Sequence, residues 1–266
     1  MALARPQLMG ILNVTPDSFS DGGRYFSVEA ALSHALQLVA EGADIIDVGG
    51  ESTRPGSESI SATEELARVL PVIQALRAKS SVVLSIDTAK ARVAAEALSA
   101  GANMINDVSA ASDPEMFAVA KQYEATLCLM HMRGTPKNMQ QNTSYQDVVR
   151  EVCDYLRTRA DMAMQAGVAA GKILLDPGIG FGKTSRHNLE ILRRLNEFYG
   201  MGFPLLVGAS RKNFIGDVLQ LPAHERLYGT VATLAVAIVR GAHVVRVHDV
   251  RESVQVAAMC DAIMNA

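Results

Sequence analysis

The chain has 266 residues, 49% apolar and 20% charged, with a formal net charge of -3 at pH 7. That length suits one domain of α/β-barrel size, spanning residues 1–266, and the composition excludes both a disordered chain and a polycationic nucleic-acid binder. Apolar runs stop short of the roughly 20 residues that span a bilayer, residues 1–7 lack a secretion-signal pattern, and Cys128, Cys153 and Cys260 are too scattered for a disulfide framework or zinc site, so a cytoplasmic address with incidental thiols is expected.

Short apolar runs alternate with segments of helical periodicity along the chain. A strand over 8–14 precedes a helix over 28–40, and 43–49 precedes 64–78. The pairs 82–87 with 89–99, 104–108 with 115–123, and 126–131 with 145–166 follow. Then come 173–176 with 188–199, 205–209 with 229–239, and 244–248 with 252–264. Ser61 with Glu64 predicts a capping box, and Asp113 with Pro114 predicts an N-cap followed by a proline in the first helical turn. Gly42, Gly101, Gly167 and Gly241 stand where helices must turn back into strands. Eight βα units predict a closed (β/α)8 TIM barrel, with an open doubly wound sheet as the alternative. Segment 132–144 exceeds what a connection needs and predicts a surface loop or lid.

In such a barrel the loops converge at the carboxyl ends of the strands. Read in order, those ends carry Asn13, Asp47, Asp87, Asn106, His131, Asp176, Ser210 with Arg211 and Lys212, and Arg246 with His248. A helix cap or a satisfied buried polar group explains any one of them, and Asp47 and Ser210 are left at that. Together they point to one ligand site with two halves. Asp87, Asn106 and Asp176 can accept from, and in the amide's case donate to, the N–H edge of a flat heterocycle. A metal on this carboxylate pair would lack a third ligand at suitable spacing. Arg246 and His248 lie two apart on one strand and so face one side. With Arg211 and Lys212 they suit a phosphate or diphosphate; a solvated salt-bridge face is the bland alternative for the latter two.

The run Gly178 to Thr184 looks like a Walker A loop, but Pro177 stands where that motif requires glycine. It reads instead as a glycine-rich turn that lets backbone and the Phe181 ring approach a ligand. His34, His187, His224 and His243 are expected at surfaces or caps, without partners. Loops 13–23 and 51–56 mix turn formers with charged and aromatic residues, as segments that order over a substrate do.

The phrase Gly10-Ile11-Leu12-Asn13-Val14-Thr15-Pro16-Asp17-Ser18-Phe19-Ser20-Asp21-Gly22-Gly23 resembles the first signature of the dihydropteroate synthase family. Further resemblances follow in family order: Asp47 to Gly56, Ser85-Ile86-Asp87-Thr88, Ile105-Asn106-Asp107-Val108, Met130-His131-Met132, Asp176 to Lys183, Ser210-Arg211-Lys212 and Arg246-Val247-His248. The resemblance implies a homodimeric barrel using Mg2+. Its reaction would condense 6-hydroxymethyl-7,8-dihydropterin diphosphate with 4-aminobenzoate, giving 7,8-dihydropteroate and diphosphate, and sulfonamides would inhibit it.

It also implies roles. Asp87, Asn106, Val108, Met130, Asp176, Gly208 and Lys212 would hold the pterin. Asn13, Thr53, Arg54, Arg246 and His248 would hold the diphosphate, with Asn13 also reaching Mg2+. Phe19, Thr53, Pro55, Phe181, Lys212 and Asn213 would shape the aminobenzoate pocket, with Asp21 helping to order the loop. Asp87, Lys212, Arg246 and Asn13 would carry the chemistry, a dissociative substitution through a pterin cation. Asn213 departs from the family's usual serine, which bears on aminobenzoate and sulfonamide affinity. A methyltetrahydrofolate-binding methyltransferase barrel would share the acid and amide slot but has no use for the basic half. A non-catalytic pterin-binding barrel would be expected to lack Asn13, Lys212 or Arg246, and all three are present.

Overall fold

The computed structural model describes residues 5–15 and 28–266. Its strands are β1 Gln7–Asn13, β2 Ile45–Gly49, β3 Val83–Asp87, β4 Met104–Asp107, β5 Thr126–Met130, β6 Ile173–Asp176, β7 Leu206–Val207 and β8 Val244–Val247. The helices are α1 Val28–Ala40, α2 Ala62–Arg77, α3 Ala91–Ser99, α4 Met116–Gln122, α5 Val148–Gln165, α6 Ser185–Arg193, α7 Asn213–Leu219, α8 Leu227–Val239 and α9 Val250–Met264. Strand order is β6-β5-β4-β3-β2-β1-β8-β7, with parallel pairing throughout. Its two ends meet at a parallel bridge between Leu175 and Leu205, and the Leu175 N–H donates to the Pro204 carbonyl at 3.0 Å. The sheet is therefore a barrel, and the open-sheet alternative falls.

Sequence and structure part at a few places, each with a local cause. Helix α7 has no counterpart among the expected segments; it buries Phe214 and Ile215. Strand β7 shrinks to two residues, ahead of a turn where Arg211 takes φ +57°. Asp113 caps the turn that leads into α4, with Oδ1 accepting from the Glu115 N–H at 3.1 Å, while Oδ2 accepts from the Ala91 N–H at 2.9 Å at the head of α3; α4 itself starts at Met116. The box at Ser61 is half made. Ser61 accepts from the Glu64 N–H, but the Glu64 carboxylate turns to Arg68 at 2.5 Å. The four expected glycine stops all have positive φ, between +92° at Gly167 and +110° at Gly101.

Two apolar layers hold the barrel. The larger lies between sheet and helices, where Ile46, Leu84, Ile86 and Ile105 are wholly buried, each contributing roughly 2 kcal/mol. The smaller fills the barrel interior with Met9, Ile45, Met104, Cys128, Leu174, Leu206 and Val244. Side chains alternate along a strand, so the residue two positions further on faces the interior as well. Those residues are Ile11, Asp47, Asn106, Met130, Asp176, Gly208 and Arg246. Strict period two thus places an apolar floor beneath a polar upper layer. Among the described residues, no helix is long and apolar enough to cross a membrane.

Candidate active site at the carboxyl ends of the strands

The upper layer converges on Arg246. Its Nε donates to Asp47 Oδ2 at 2.6 Å and its Nη2 to Asp87 Oδ2 at 2.8 Å, while Asn106 Nδ2 donates to the same Asp47 oxygen at 3.0 Å. Asp47 is 0% exposed and Asp87 7%. Asp47 is therefore a member of the site and not an incidental polar group; it orients both the guanidinium and the Asn106 amide. Asp47 Oδ1 and Asp87 Oδ1 are buried with no protein partner, as is the Ser85 hydroxyl two residues below Asp87. Buried acceptors are rarely left unmet in a folded protein. Of the unmet atoms, which also include Glu65 Oε1, Asp87 Oδ1 belongs to the residues expected to meet N–H groups of a heterocycle.

Burial pushes the Asp87 carboxyl up to about 7; Arg246 opposes the rise and Asp47 adds to it. Burial works against the charge on Arg246 as well, but Asp47 and Asp87 outweigh it and hold the guanidinium above its ordinary range. Asp176 is likewise raised by burial, against the pull of Lys212, and accepts from the Gly178 N–H at 2.7 Å. Lys212 lies beside it, donating to the Ile179 carbonyl with its ammonium 4.3 Å from the centre of the Phe181 ring. Burial lowers that ammonium to about 8, with Asp176 opposing. The cation of Lys212 thus belongs to the Asp176 side of the site. Val108 and Met130 are buried on the same face. A Cβ on Gly208 would come 3.6 Å from the Arg246 Cβ, so the missing side chain leaves room beside the guanidinium.

The second half gathers around β8. A Cβ built on Gly49 would lie 3.6 Å from Asp87 Oδ2 and 3.8 Å from Asn13 Oδ1, so both side chains border the space beside Gly49. His248 meets the Ser210 hydroxyl through its backbone N–H at 3.2 Å and its Nδ1 at 3.0 Å. Burial, then the charges of Arg246 and Arg211, with Arg54 contributing, lower this imidazole to about 4. His248 is a neutral hydrogen-bonding group at pH 7, not a third positive charge. Arg54 and Pro55 are exposed and Thr53 is half-buried, in a loop tied to segment 132–144 by a bond from the Gly56 N–H to the Pro136 carbonyl at 2.9 Å. Phe19 and Asp21 lie outside the described residues.

Several expectations need correction. Arg211 is taken by Asp249, to which its Nε donates at 3.0 Å, and its backbone N–H is held by Thr230; it braces the turn and does not serve a phosphate. His131 follows Met130 by one residue and so faces outward, where its Nδ1 meets the Lys183 ammonium at 2.8 Å. Asn213 is exposed at the start of α7, and its Oδ1 accepts from Arg226 at 3.3 Å, which leaves the amide N–H2 for a carboxylate. His187 has a partner, completing a reciprocal cap with Thr184; His243 accepts from the Leu205 N–H at 3.1 Å; and His224 pairs with Glu225 at 3.3 Å. Lys183, dismissed with the Walker-like motif, is 3% exposed. A second hollow, about 880 Å³, opens at the opposite end of the barrel past Gln7, Ile45, Met104 and Val244. Among the described residues no carboxylate or thiol lines it, whereas the carboxyl ends gather the buried Asp47, Asp87 and Asp176.

Comparison with known proteins gives the same answer. The family described as pterin binding enzyme matches residues 9–248. A dihydropteroate synthase from Synechocystis is 51% identical over 261 residues, 97% of this chain and 90% of the relative. The crystal structure of Yersinia pestis dihydropteroate synthase with a sulfonamide drug complex superposes with a TM-score of 0.94 at 45% identity, covering 98% of this chain and 95% of that one. Xanthomonas albilineans dihydropteroate synthase in complex with 7,8-dihydropteroate gives 0.89 at 41%, covering 98% and 95%. The chain belongs to the pterin-binding enzymes and, among them, to the dihydropteroate synthases, transferases of folate biosynthesis.

Proposed function

We propose that this site joins 6-hydroxymethyl-7,8-dihydropterin diphosphate to 4-aminobenzoate, releasing diphosphate. The observation that carries the reading is the pair of buried, unmet carboxylate oxygens on Asp47 and Asp87 beside Arg246. Asp87, Asn106 and Asp176 receive the N–H edge of the pterin, on a floor completed by Met130 and Val108. Two of the five N–H groups of Arg246 are engaged by Asp47 and Asp87, and the remainder face the departing diphosphate with Arg54, Thr53 and His248. The bond between the pterin methylene and its ester oxygen breaks first and the electron pair leaves with diphosphate. The aniline nitrogen then attacks the cation and loses a proton. Asp87 stabilises that cation through space, and Phe181, Lys212, Pro55 and Asn213 bound the pocket of the second substrate.

Among the described residues, no group of three or more His, Cys, Asp or Glu could hold a metal ion. Mg2+ often binds through one protein oxygen together with water and substrate phosphates. The Asn13 amide oxygen, placed beside Asp87 at the mouth, fits that mode. When bound, Mg2+ would supply charge neutralisation to the leaving diphosphate. The reading includes a cytoplasmic homodimer; Val218, Tyr228, Val236 and Val239 expose apolar surface on α7 and α8, with Tyr228 83% exposed.

Diphosphate release should require both substrates, and a sulfonamide should compete with 4-aminobenzoate, raising its apparent KM without lowering kcat. Release that 4-aminobenzoate does not accelerate would refute the assignment. The pH profile should be bell-shaped. Activity falls below about pH 7 as Asp87 gains a proton and above about pH 8 as Lys212 loses one. Lys212→Arg should move only the alkaline limb upward, since guanidinium stays charged; an unmoved limb assigns it to another group.

A further inference from the structure

One buried cation has no task in this reaction. The Lys183 ammonium lies 2.8 Å from His131 Nδ1, 2.9 Å from the Gly178 carbonyl, 3.0 Å from that of Phe181 and 3.3 Å from that of His131. Burial works against its charge and Asp176 supports it. An ammonium at 3% exposure persists where its acceptors compensate the lost water. Those acceptors come from two segments, the residue after β5 and the turn after β6. The His131 ring, held neutral by burial and by the neighbouring ammonium, packs edge-on against Tyr155 at 4.9 Å.

The turn after β6 carries three groups on its other side. The Gly178 N–H meets Asp176, the Ile179 carbonyl receives Lys212, and the Phe181 ring lies against the same ammonium. The turn presses hard on the β5 end: at φ +67°, a Cβ on Gly178 would fall 1.9 Å from the His131 carbonyl oxygen. The His131 carbonyl thus packs where a Gly178 side chain would stand, and the Lys183 ammonium joins it to the Gly178 carbonyl across that contact.

We infer that Lys183 is a positioning residue, an internal cation that locks the β6 turn onto the end of β5 and so sets where Phe181 meets the second substrate. The inference rests on the aminobenzoate pocket proposed above. A general fold-holding role would weaken both substrates together, whereas this role weakens one.

The test uses the full chain carrying Lys183→Met, which keeps a long apolar stem and removes the ammonium. The KM for 4-aminobenzoate should rise about ten-fold or more, as small misplacements at a site do, while the KM for pterin diphosphate and the affinity for the unesterified pterin stay within about two-fold. His131→Phe, which keeps the ring volume and all three carbonyls, should shift the same KM in the same direction by less. Should Lys183→Met fail to fold, His131→Phe carries the test alone. Equal weakening of both substrates, or an unchanged aminobenzoate KM, overturns the inference. Failure of the underlying reading would show in the unsubstituted enzyme, as release that aminobenzoate does not accelerate; failure of this inference shows only in the ratio of variant to parent.

Discussion

Arg246→Ala should lower diphosphate release by about a hundred-fold to a thousand-fold, the loss expected when one fixed donor to developing negative charge is removed. The guanidinium sits between Asp47 and Asp87, and its remaining N–H groups are the donors that the proposed reaction assigns to the departing diphosphate. Its removal has a second consequence. Two buried carboxylates, each already holding one unmet oxygen, would lose their common counter-charge, which typically destabilises by about 3–5 kcal/mol. Part of that cost is avoided if Asp87 takes up a proton, so the loss in Tm should be smaller in mild acid than above pH 7. The two consequences separate by binding. The variant, assayed below its Tm, should retain affinity for the unesterified pterin within a few-fold while losing affinity for the diphosphate ester. Turnover near that of the parent would show that Arg246 serves only to satisfy the acids.

The barrel and most of its mouth were legible because both follow from local periodicity. Period two carries the eye from Val244 to Arg246, from Met104 to Asn106 and from Leu174 to Asp176, so the inward-facing residues could be read from strand patterns alone. Asp47 obeys the same rule two positions after Ile45, yet it was set aside. Its partner Arg246 is 199 positions away, and nothing local marks a carboxylate as a counter-ion. Arg211 failed in the opposite sense. Adjacency to Lys212 suggested shared work, but its left-handed backbone turns the side chain to Asp249, 38 positions on. His131 shows parity overriding chemistry, since an imidazole at a strand end looked like a ligand group until the pleat placed it outside. Lys183 was passed over when the Walker-like run was set aside on Pro177. Its acceptors are backbone carbonyls, and carbonyls leave no trace in a side-chain pattern.

Asp87→Asn should cost about as much activity as loss of Arg246, with the opposite effect on the fold in alkaline solution. The amide keeps the size of the carboxyl but cannot lend negative charge to a cation at the pterin methylene, and its N–H2 would face donors on the ligand. A fall of about a hundred-fold or more in kcat is therefore expected. Stability runs the other way. The folded chain holds the Asp87 proton to about pH 7, against 3.8 for an ordinary aspartate, so the native state binds that proton more tightly than the unfolded one. The stability this contributes is fully present below about pH 4 and is lost as pH rises through 7, a change on the order of a few kcal/mol. An asparagine is neutral throughout and does not suffer that loss. The variant's Tm should consequently fall less than the parent's between pH 5 and 8, and at pH 8 the dead enzyme should be at least as stable as the live one. The site would then be one where a buried charge is kept for the reaction against the interest of the fold. Parallel Tm curves for the two proteins across that range would show that Asp87 is ionised in the native state well below pH 7, and would remove it as the source of the acid limb.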